Sequence, residues 1–310
     1  MSVNGRELLA GVVVPVVTTM DVDRNPDAQQ MHGVLDALSA ASITKIMIFG
    51  SNGEGPVLGE HQIGRFARSV SLQWRKRAPG GVLLVNVSGV STADSLRRAE
   101  VIMDSEVGPD ALLLSPPMYF RHSRRDIEEH YRAFAGFGIP IVAYNSPAYT
   151  GNDLDVDVAR DLLEMDHVIG MKDSSRAEGR IPALVEIAAG RHDFGVNQGD
   201  ESGLTQALED GAVGITPGIA NLAPRLAVAL YRSWCNGEED RAWEMQEKIR
   251  QLVGIHKIRP GIATTKAALS LRGVCQRHVS SPFVDYLPED LQTLSDFLAP
   301  WDSELVGSSE

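Results

Sequence analysis

Short apolar segments alternate with longer amphipathic stretches from residue 11 to about residue 217. Continuous apolar segments of this kind are typical of strands that are buried on both faces of a parallel sheet. The stretches between them have the period of amphipathic helices. The predicted strands are residues 11–18, 44–50, 82–87, 110–115, 139–145, a sixth ending at Lys172, 194–197 and 213–216; the predicted helices cover about residues 27–41, 60–77, 92–105, 125–137, 156–165, 181–189 and 201–210.

Eight strand–helix units in little more than two hundred residues predict the α/β class and a closed (β/α)8 barrel, the TIM barrel. An open doubly wound sheet is the alternative, and it usually carries a glycine-rich turn after its first strand. The first predicted strand runs instead into residues 18–21 (TTMD), which contain no glycine. We therefore favour the barrel.

After Pro224 the alternation stops and helical patterns follow one another. Gly237, Pro260 and Pro288 separate these helices, as helix-breaking residues do. We predict a barrel with the active site over residues 1–230 and a C-terminal helical region over residues 231–310. One helix closes the barrel, and the other three form an appendix that covers a barrel face or makes a subunit contact. The predicted helices are residues 225–235, 238–255, 261–271 and 289–298.

Charge and composition exclude several classes of partner. The net charge of -12 and the lack of a basic stripe argue against nucleic acid and against an anionic membrane surface. No apolar segment is long enough to span a membrane, and residues 1–9 show no secretory signal. Cys235 and Cys275 have no metal-binding spacing and suggest reduced, buried thiols in a cytoplasmic protein. The histidines form no HxH or HExxH cluster, so we expect no metal site.

The carboxyl ends of the strands are where a barrel of this type carries its chemistry. Small and polar residues follow five of the predicted strands. They are residues 50–55 (GSNGEG), 144–151 (YNSPAYTG), 172–174 (KDS), 199–200 (GD) and 214–217 (GITP).

Lys172 is the only one of the chain's six lysines that the pattern places at the carboxyl end of a strand. A lysine amine among apolar neighbours loses hydration, and the neutral amine can attack a carbonyl carbon to form a Schiff base. The alternative is an ordinary strand-end lysine whose stem packs while its ammonium group reaches water. For an isolated lysine that alternative is the commoner case. The residues at the other strand ends, however, favour a reactive role for Lys172.

Two further strand ends supply complementary groups. The loop at residues 50–55 can expose backbone N–H groups to a carboxylate or phosphate oxygen, with added hydrogen bonds from Ser51 and Asn52. It lacks the P-loop and GxGxxG signatures, and a tight structural turn is the alternative. Tyr144 points its hydroxyl toward Lys172 in a barrel and can carry a proton there. A packed core tyrosine with a satisfied hydroxyl is the alternative for Tyr144.

These segments resemble the dihydrodipicolinate synthase and N-acetylneuraminate lyase superfamily of Schiff-base aldolases. Residues 50–54 match its G-[ST]-[TSN]-G-E loop, residues 144–151 its Y-N-x-P-x-x-[TS]-G segment, and residues 170–175 its G-x-K-D-[ST]-S segment. The later G-D and G-x-x-G-x-[ST] segments look like residues 199–200 and 211–216. The resemblance covers nearly the whole chain and includes the helical tail.

The resemblance implies a lyase in which Lys172 forms an imine with a 2-oxo acid such as pyruvate. Tyr144 would relay protons with the support of Ser51. The backbone and side chains of Ser51 and Asn52 would hold the carboxylate of the 2-oxo acid. No metal or organic cofactor is required, and a homo-oligomer, either a tetramer or a dimer, is expected. The predicted substrate-binding set is Ser51, Asn52, Gly53, Tyr149, Gly199 and Thr216.

Two departures from the pattern bear on the substrate. Dihydrodipicolinate synthases usually carry an arginine where this chain has Tyr149, and that arginine binds the second substrate. They also use a tyrosine after the fourth strand, where this chain has Met118 with Tyr119 beside it. A methionine cannot relay a proton. The resemblance therefore implies the sugar-acid and 4-hydroxy-2-oxoglutarate aldolase branches rather than lysine biosynthesis.

Three hypotheses follow. The leading one is a Schiff-base lyase that cleaves or forms a C–C bond between pyruvate and an aldehyde, on a 2-keto-3-deoxy sugar acid or 4-hydroxy-2-oxoglutarate. The second is a 2-keto-3-deoxy sugar acid dehydratase or a genuine dihydrodipicolinate synthase. The third is a barrel that binds an oxo acid without turnover. Lys172 and Tyr144 argue against simple binding, which needs neither a nucleophile nor a proton relay.

Overall fold

The computed structural model describes residues 3–307 and contains a closed barrel of eight parallel strands, each paired with the next and β1 paired with β8. The predicted TIM barrel is therefore confirmed. Most of the strands are shorter than the predicted apolar segments, whereas the sixth and the seventh end one residue later than predicted. They are β1 (Gly11–Pro15), β2 (Lys45–Ile48), β3 (Val82–Asn86), β4 (Ala111–Leu114), β5 (Ile141–Asn145), β6 (Val168–Asp173), β7 (Gly195–Gln198) and β8 (Gly214–Ile215).

The apolar composition of the strands follows from burial on both faces. In β4 all four residues are buried. Leu113 packs inside the barrel, whereas Leu112 and Leu114 belong to the larger cluster between the barrel and its helices. Side chains alternate between the faces of a strand, so a strand covered on both sides has no polar face to show.

Helices surround the barrel at the positions that the sequence pattern predicts. In α3, Phe66, Val70 and Trp74 repeat every four residues and are all buried. Such spacing places them on one helix face, and Trp74 Nε1 also donates to Val82 O at 3.1 Å. The barrel helices are α2 (Met31–Ala40), α3 (Glu60–Arg77), α4 (Thr92–Asp104), α5 (Arg124–Arg132), α7 (Val156–Leu163), α8 (Arg180–Ala188), α9 (Leu204–Glu209) and α10 (Pro224–Cys235), with the short α6 (Pro147–Thr150) after β5.

A short N-terminal helix, α1 (Gly5–Leu9), was not predicted. The side chain of Asn4 caps it by accepting hydrogen bonds from the N–H groups of Arg6 and Glu7. Leu8 and Leu9 join the cluster inside the barrel, so α1 closes the end opposite the carboxyl ends of the strands. Five residues are too few to show a helical period, which is why the hydrophobic pattern did not reveal this element.

Over residues 236–307 the structure has three α-helices, at the predicted positions: α11 (Glu239–Val253), α12 (Ile262–Leu271) and α13 (Leu291–Leu298). Leu252, Leu269 and Leu294 are buried in the same cluster as the outer faces of the strands. The predicted boundary after residue 230 falls inside α10, which continues to Cys235. The predicted regions also contain residues 1–2 and 308–310, which lie outside the described residues.

One expectation about the cysteines is wrong. Cys235 is exposed, because it is the last residue of α10 and precedes the turn at Gly237. Cys275 is partly buried, and burial raises the pKa of its thiol to about 12. Both cysteines are free thiols, as expected. Within residues 3–307, no helix has the length and apolar character needed to cross a membrane.

Candidate active site

Tyr144 and Lys172 are register partners on the neighbouring strands β5 and β6. Partners on adjacent parallel strands point to the same side of a sheet, and both side chains lie inside the barrel mouth. Lys172 Nζ is 4.2 Å from the centroid of the Tyr144 ring. The two residues are 5% and 6% exposed, so water reaches them only from the mouth. The structure thus brings together the two residues predicted to react.

Lys172 is buried and forms no direct ion pair within residues 3–307, although the carboxyl group of Glu201 lies near enough to feel its charge. Among the ion pairs of the described residues none includes it, and its amine lies beside the Tyr144 ring. Gly199 keeps the space beside the lysine open, because a Cβ atom there would lie 2.7 Å from Lys172 Cε. Any larger residue at position 199 would displace the lysine. Gly199 therefore acts on the site through its small size.

Tyr144 is hydrogen-bonded in a way that favours its ionised form. Its hydroxyl lies 3.2 Å from Ser51 Oγ. Burial alone would raise the pKa of Tyr144, but the charge of Lys172 and hydrogen bonds from Ser51 and Ser146 bring it below the ordinary value. A phenol with these neighbours can accept and return a proton beside the amine.

The loop after β2 forms a 3-10 turn over Ser51–Gly53 at the barrel mouth. The first N–H groups of a helical turn have no acceptor within the turn and are free to bind an anion. Gly53 is buried, its N–H donates to Gly50 O at 2.9 Å, and its carbonyl accepts from Thr18 Oγ1 at 2.6 Å. A Cβ atom on Gly53 would lie 3.0 Å from Val16 O, so this position has little room for a side chain.

The remaining predicted substrate-binding residues lie around the same mouth in different environments. Asn52 faces Gly218 after β8, where a Cβ atom would lie 2.7 Å from Asn52 Nδ2. Tyr149 on α6 is 70% exposed and free to contact a substrate from outside. Thr216 is buried, and its hydroxyl donates to Asn197 Oδ1 at 2.6 Å. Their roles in binding stay predictions.

Glu201 was missed by the sequence reasoning, which placed it inside a helix. It begins a separate 3-10 turn after β7, and α9 starts only at Leu204. Burial raises the pKa of its carboxyl to about 7, despite the hydrogen bond from the Ile219 N–H at 2.6 Å and the opposing charges of Lys172 and Arg176. The site therefore holds a carboxyl that exchanges a proton near neutral pH. Glu201 directly follows the glycine and aspartate at the end of β7, and this position in the sequence could have identified it as a site residue.

A polar network behind the strand ends holds Tyr144 and Lys172 in register. Asn145 Nδ2 donates to Asp173 Oδ2 at 2.7 Å and to Asp153 Oδ1 at 2.8 Å. Arg180 forms a two-point ion pair with Asp153 and lies 3.6 Å from Asp173 Oδ2. Asn145 and Asp173 directly follow the two reactive residues. Their mutual hydrogen bond therefore fixes the ends of β5 and β6 relative to each other.

The segment after β4 is exposed. Tyr119 and Phe120 are 85% and 66% exposed, and their rings meet edge to face with centroids 4.9 Å apart. Tyr119 has φ +85°, a left-handed conformation that few non-glycine residues adopt. Met118, predicted to occupy the position of the family tyrosine, is partly buried. Within residues 3–307 the structure shows no cluster of three potential metal ligands.

A buried lysine beside a tyrosine, next to a loop with free N–H groups at the mouth of a parallel barrel, is an arrangement that suits chemistry on a carbonyl substrate. The chain belongs to the dihydrodipicolinate synthetase family, which it matches over residues 8–300. Members of this family are lyases of the aldolase type.

Three relatives illustrate the range of the family. The chain is 30% identical to an uncharacterized DapA-like lyase of Halobacterium salinarum, over 94% of this chain and 93% of the relative. It is 27% identical to the 4-hydroxy-tetrahydrodipicolinate synthase of Methanothrix thermoacetophila, over 97% and 99% of the two chains. It is 26% identical to YjhH of Escherichia coli, a probable 2-dehydro-3-deoxy-D-pentonate aldolase, over 86% and 88%.

Solved structures show the same fold. YagE of E. coli K12, a prophage protein of the dihydrodipicolinic acid synthase family solved in complex with pyruvate, superposes with a TM-score of 0.87. The two chains are 22% identical, and the match covers 94% of this chain and 98% of YagE. At this identity the comparison establishes the barrel with its helical tail and nothing about the substrate.

Proposed function

We propose that the protein is a Schiff-base-forming lyase that joins pyruvate to an aldehyde or cleaves the product of that addition. The observation that carries the proposal is Lys172, a buried amine without a carboxylate partner, 4.2 Å from the ring of Tyr144. A buried lysine that no carboxylate holds in place, and that lies at the mouth of a barrel, is suited to attack the carbonyl group of an entering substrate.

The proposed sequence begins when the lone pair of Lys172 Nζ attacks the C2 carbonyl carbon of the 2-oxo acid. Tyr144 delivers a proton to the carbonyl oxygen, which gives a carbinolamine. Loss of water then forms the protonated imine. In the cleavage direction, the C4 hydroxyl gives its proton to the phenolate that Tyr144 has become, and the electrons of the C3–C4 bond move into the imine to give an enamine. The fragment that contains C4 leaves as the aldehyde. Protonation of the enamine at C3 and hydrolysis release pyruvate and the free lysine.

Binding of the 2-oxo acid is assigned to the loop after β2 in this proposal. The free N–H groups at the start of the Ser51–Gly53 turn suit a carboxylate, and the 3.2 Å contact between Ser51 Oγ and Tyr144 Oη joins that loop to the proton path. The reaction needs no metal or organic cofactor, because the imine itself accepts the electron pair.

The aldehyde partner is proposed to be polar, derived from a 2-keto-3-deoxy sugar acid or 4-hydroxy-2-oxoglutarate. Tyr149, Arg176 and Glu201 offer hydrogen-bonding groups around the mouth. The relationship to YjhH, a probable 2-dehydro-3-deoxy-D-pentonate aldolase, supports the sugar-acid branch. A genuine dihydrodipicolinate synthase is the second candidate, which the relationship to the Methanothrix synthase favours and Tyr149, in place of arginine, disfavours.

Pyruvate release tests this proposal. The protein is incubated separately with 2-keto-3-deoxy pentonates, 2-keto-3-deoxy hexonates and 4-hydroxy-2-oxoglutarate, and pyruvate is measured with lactate dehydrogenase. We expect release from at least one of them and none from the Lys172→Met variant. A 2-oxo acid semialdehyde product without pyruvate would indicate the dehydratase. Turnover only with pyruvate and aspartate semialdehyde would indicate the synthase, and no turnover of any of these compounds would indicate a binding barrel.

A further inference from the structure

A second buried lysine lies in the C-terminal region, away from the residues proposed to react. The side chains of Lys266 on α12 and Glu54 in the loop after β2 are both fully buried and form an ion pair. Lys266 Nζ also donates to His278 O at 2.7 Å. The second oxygen of Glu54 accepts a hydrogen bond from the Ser280 N–H at 2.6 Å. Residues of the C-terminal region therefore hold both carboxylate oxygens of Glu54. Ser280 lies 226 residues after Glu54 in the sequence.

Glu54 is the residue that ends the turn in the loop at the barrel mouth. It directly follows the Ser51–Gly53 turn, and its N–H donates to Ser51 O at 3.3 Å. Its φ of 56° is left-handed, a strained conformation for a residue other than glycine. Such a conformation persists only where the surroundings hold it. The side chain of Glu54, fixed by Lys266 and Ser280, is what holds it here.

Besides the contact between Ser51 Oγ and Tyr144 Oη, three further side chains of the barrel and its helices anchor this loop through backbone carbonyl groups. Thr18 Oγ1 donates to Gly53 O at 2.6 Å, and Asn86 Nδ2 donates to Phe49 O at 2.8 Å. Arg98 Nη1 donates to Gly55 O at 3.0 Å. These bonds fix carbonyl groups on the inner side of the loop. The orientation of the N–H groups of the Ser51–Gly53 turn depends on the left-handed residue that ends it.

Stability alone does not explain a charged pair at this place. Removing two charges from water costs more than their attraction often returns, so apolar residues of similar volume usually stabilise a fold as well or better. An ion pair with hydrogen bonds fixes the orientation of the groups that form it, whereas an apolar contact does not. Lys266 and the Ser280 N–H together set the position of the Glu54 carboxylate and hence the backbone of the loop.

We propose that Lys266 is a positioning residue for 2-oxo acid binding: through Glu54 it holds the Ser51–Gly53 turn in the geometry that receives the substrate carboxylate. The inference rests on the proposed function of that turn. It assigns the C-terminal region a part in substrate affinity, although Lys266 itself does not touch the substrate.

The test measures how borohydride-trapped adduct formation depends on the concentration of pyruvate. The variants are Glu54→Asp, which keeps the charge and shortens the side chain, and the double variant E54Q/K266M, which leaves no unpaired buried charge. Intact mass gives the half-saturating pyruvate concentration and the limiting rate of adduct formation, and thermal unfolding checks the fold. We expect half-saturation to rise about tenfold in the double variant, comparable to losing one hydrogen bond to a charged group, with a much smaller change in limiting rate.

Lys45→Met is the matched control. Lys45 is a half-buried lysine whose amine donates to Leu8 O at 3.2 Å at the opposite end of the barrel. Its loss should leave half-saturation unchanged, even where thermal stability falls. Folded E54Q/K266M with wild-type half-saturation would overturn the proposal; if the double variant does not fold, wild-type half-saturation in Glu54→Asp would do the same. Absence of any adduct in the wild type would instead refute the proposed function, and this inference with it.

Discussion

Two buried lysines, Lys172 and Lys266, lie in opposite electrostatic surroundings. Lys266 is fully buried on α12 and forms an ion pair with Glu54. Lys172 is 5% exposed at the end of β6 and has an aromatic ring beside its amine instead of a carboxylate. A buried charge is tolerated where a partner and hydrogen bonds compensate it, as at Lys266, whereas the amine of Lys172 has no such direct partner.

This difference in surroundings distinguishes a lysine with a structural role from a lysine that is suited to react. A lysine held by a carboxylate is a donor of fixed direction, and the fully buried amine of Lys266 is not accessible to a substrate. A lysine without that partner, at the mouth of the barrel, has its amine free to contact a substrate. Burial alone therefore does not mark an active-site lysine; burial without a carboxylate partner does.

The largest expected effect is the loss of all chemistry in Lys172→Met. No imine can form without the amine, so turnover and the borohydride adduct should both disappear. The fold should remain, because removing an uncompensated buried amine leaves no unpaired charge behind. Mass spectrometry and thermal unfolding measure the two outcomes. A trapped adduct in this variant would mean that another amine is the nucleophile.

Tyr144→Phe should slow turnover by about 10²–10⁴-fold, the usual contribution of a positioned proton donor and acceptor. Half-saturation with pyruvate should change little, because the loop after β2 keeps its binding groups. Steady-state kinetics separate the two parameters. Unchanged turnover would show that a group other than Tyr144 moves the proton. Ser146→Ala is a milder comparison, since it removes one of the hydrogen bonds that lower the pKa of Tyr144.

Lys266→Met should destabilise the fold by about 3–5 kcal/mol, because it leaves the carboxylate of Glu54 buried without its partner. Chemical denaturation measures the free energy of unfolding. The same substitution at Lys172 should not produce this loss, which is the direct test of the contrast between the two lysines. The double variant E54Q/K266M should recover much of the stability. Equal unfolding free energies for Lys266→Met and Lys172→Met would contradict the contrast.

His130 is a third buried base, and within residues 3–307 its ring contacts a hydroxyl and a carbonyl group rather than a carboxylate. It is 1% exposed, lies between Thr92 Oγ1 at 2.9 Å and Ser115 O at 3.1 Å, and burial lowers its pKa to about 4. Between about pH 6.5 and pH 4 the His130 imidazole therefore binds a proton in the unfolded chain but not in the folded chain. Stability should fall as pH decreases from 6.5 to about 4, by about 3 kcal/mol in total.

His130→Gln isolates this contribution, because glutamine keeps polar groups at the site and does not titrate. The difference in unfolding free energy between the wild type and His130→Gln should change over that pH window and be constant above it. A difference that does not depend on pH would mean that His130 is protonated in the folded chain or accessible to water.

Much of the barrel and the pair of residues at the centre of the site could be predicted, because both follow from the local pattern of apolar and polar residues along the chain. Apolar segments of strand length reveal the parallel sheet, and sequential strands of a barrel are neighbours in space. Tyr144 and Lys172 end consecutive strands, so their proximity follows from chain order and is confirmed by their pairing in β5 and β6.

The contacts that were not predicted depend on tertiary structure. The pair of Glu54 and Lys266 joins a loop to a helix at the other end of the chain, and α12 is buried around most of its circumference, so it shows no apolar stripe. Glu201 was read as part of a helix, and its pKa near 7 arises from burial that only the folded chain creates. The exposure of Cys235 likewise depends on tertiary packing, since the end of α10 at residue 235 was predicted correctly.

The most direct measurement is to incubate the wild-type protein with pyruvate and sodium borohydride, determine the intact mass, and map the modified peptide. We predict one reduced pyruvate adduct per chain, located on Lys172 and absent from the peptide that contains Lys266. An adduct on Lys266, or a folded protein that forms no adduct with pyruvate or with any of the 2-oxo acids above, would contradict the assignment of Lys172 as the nucleophile.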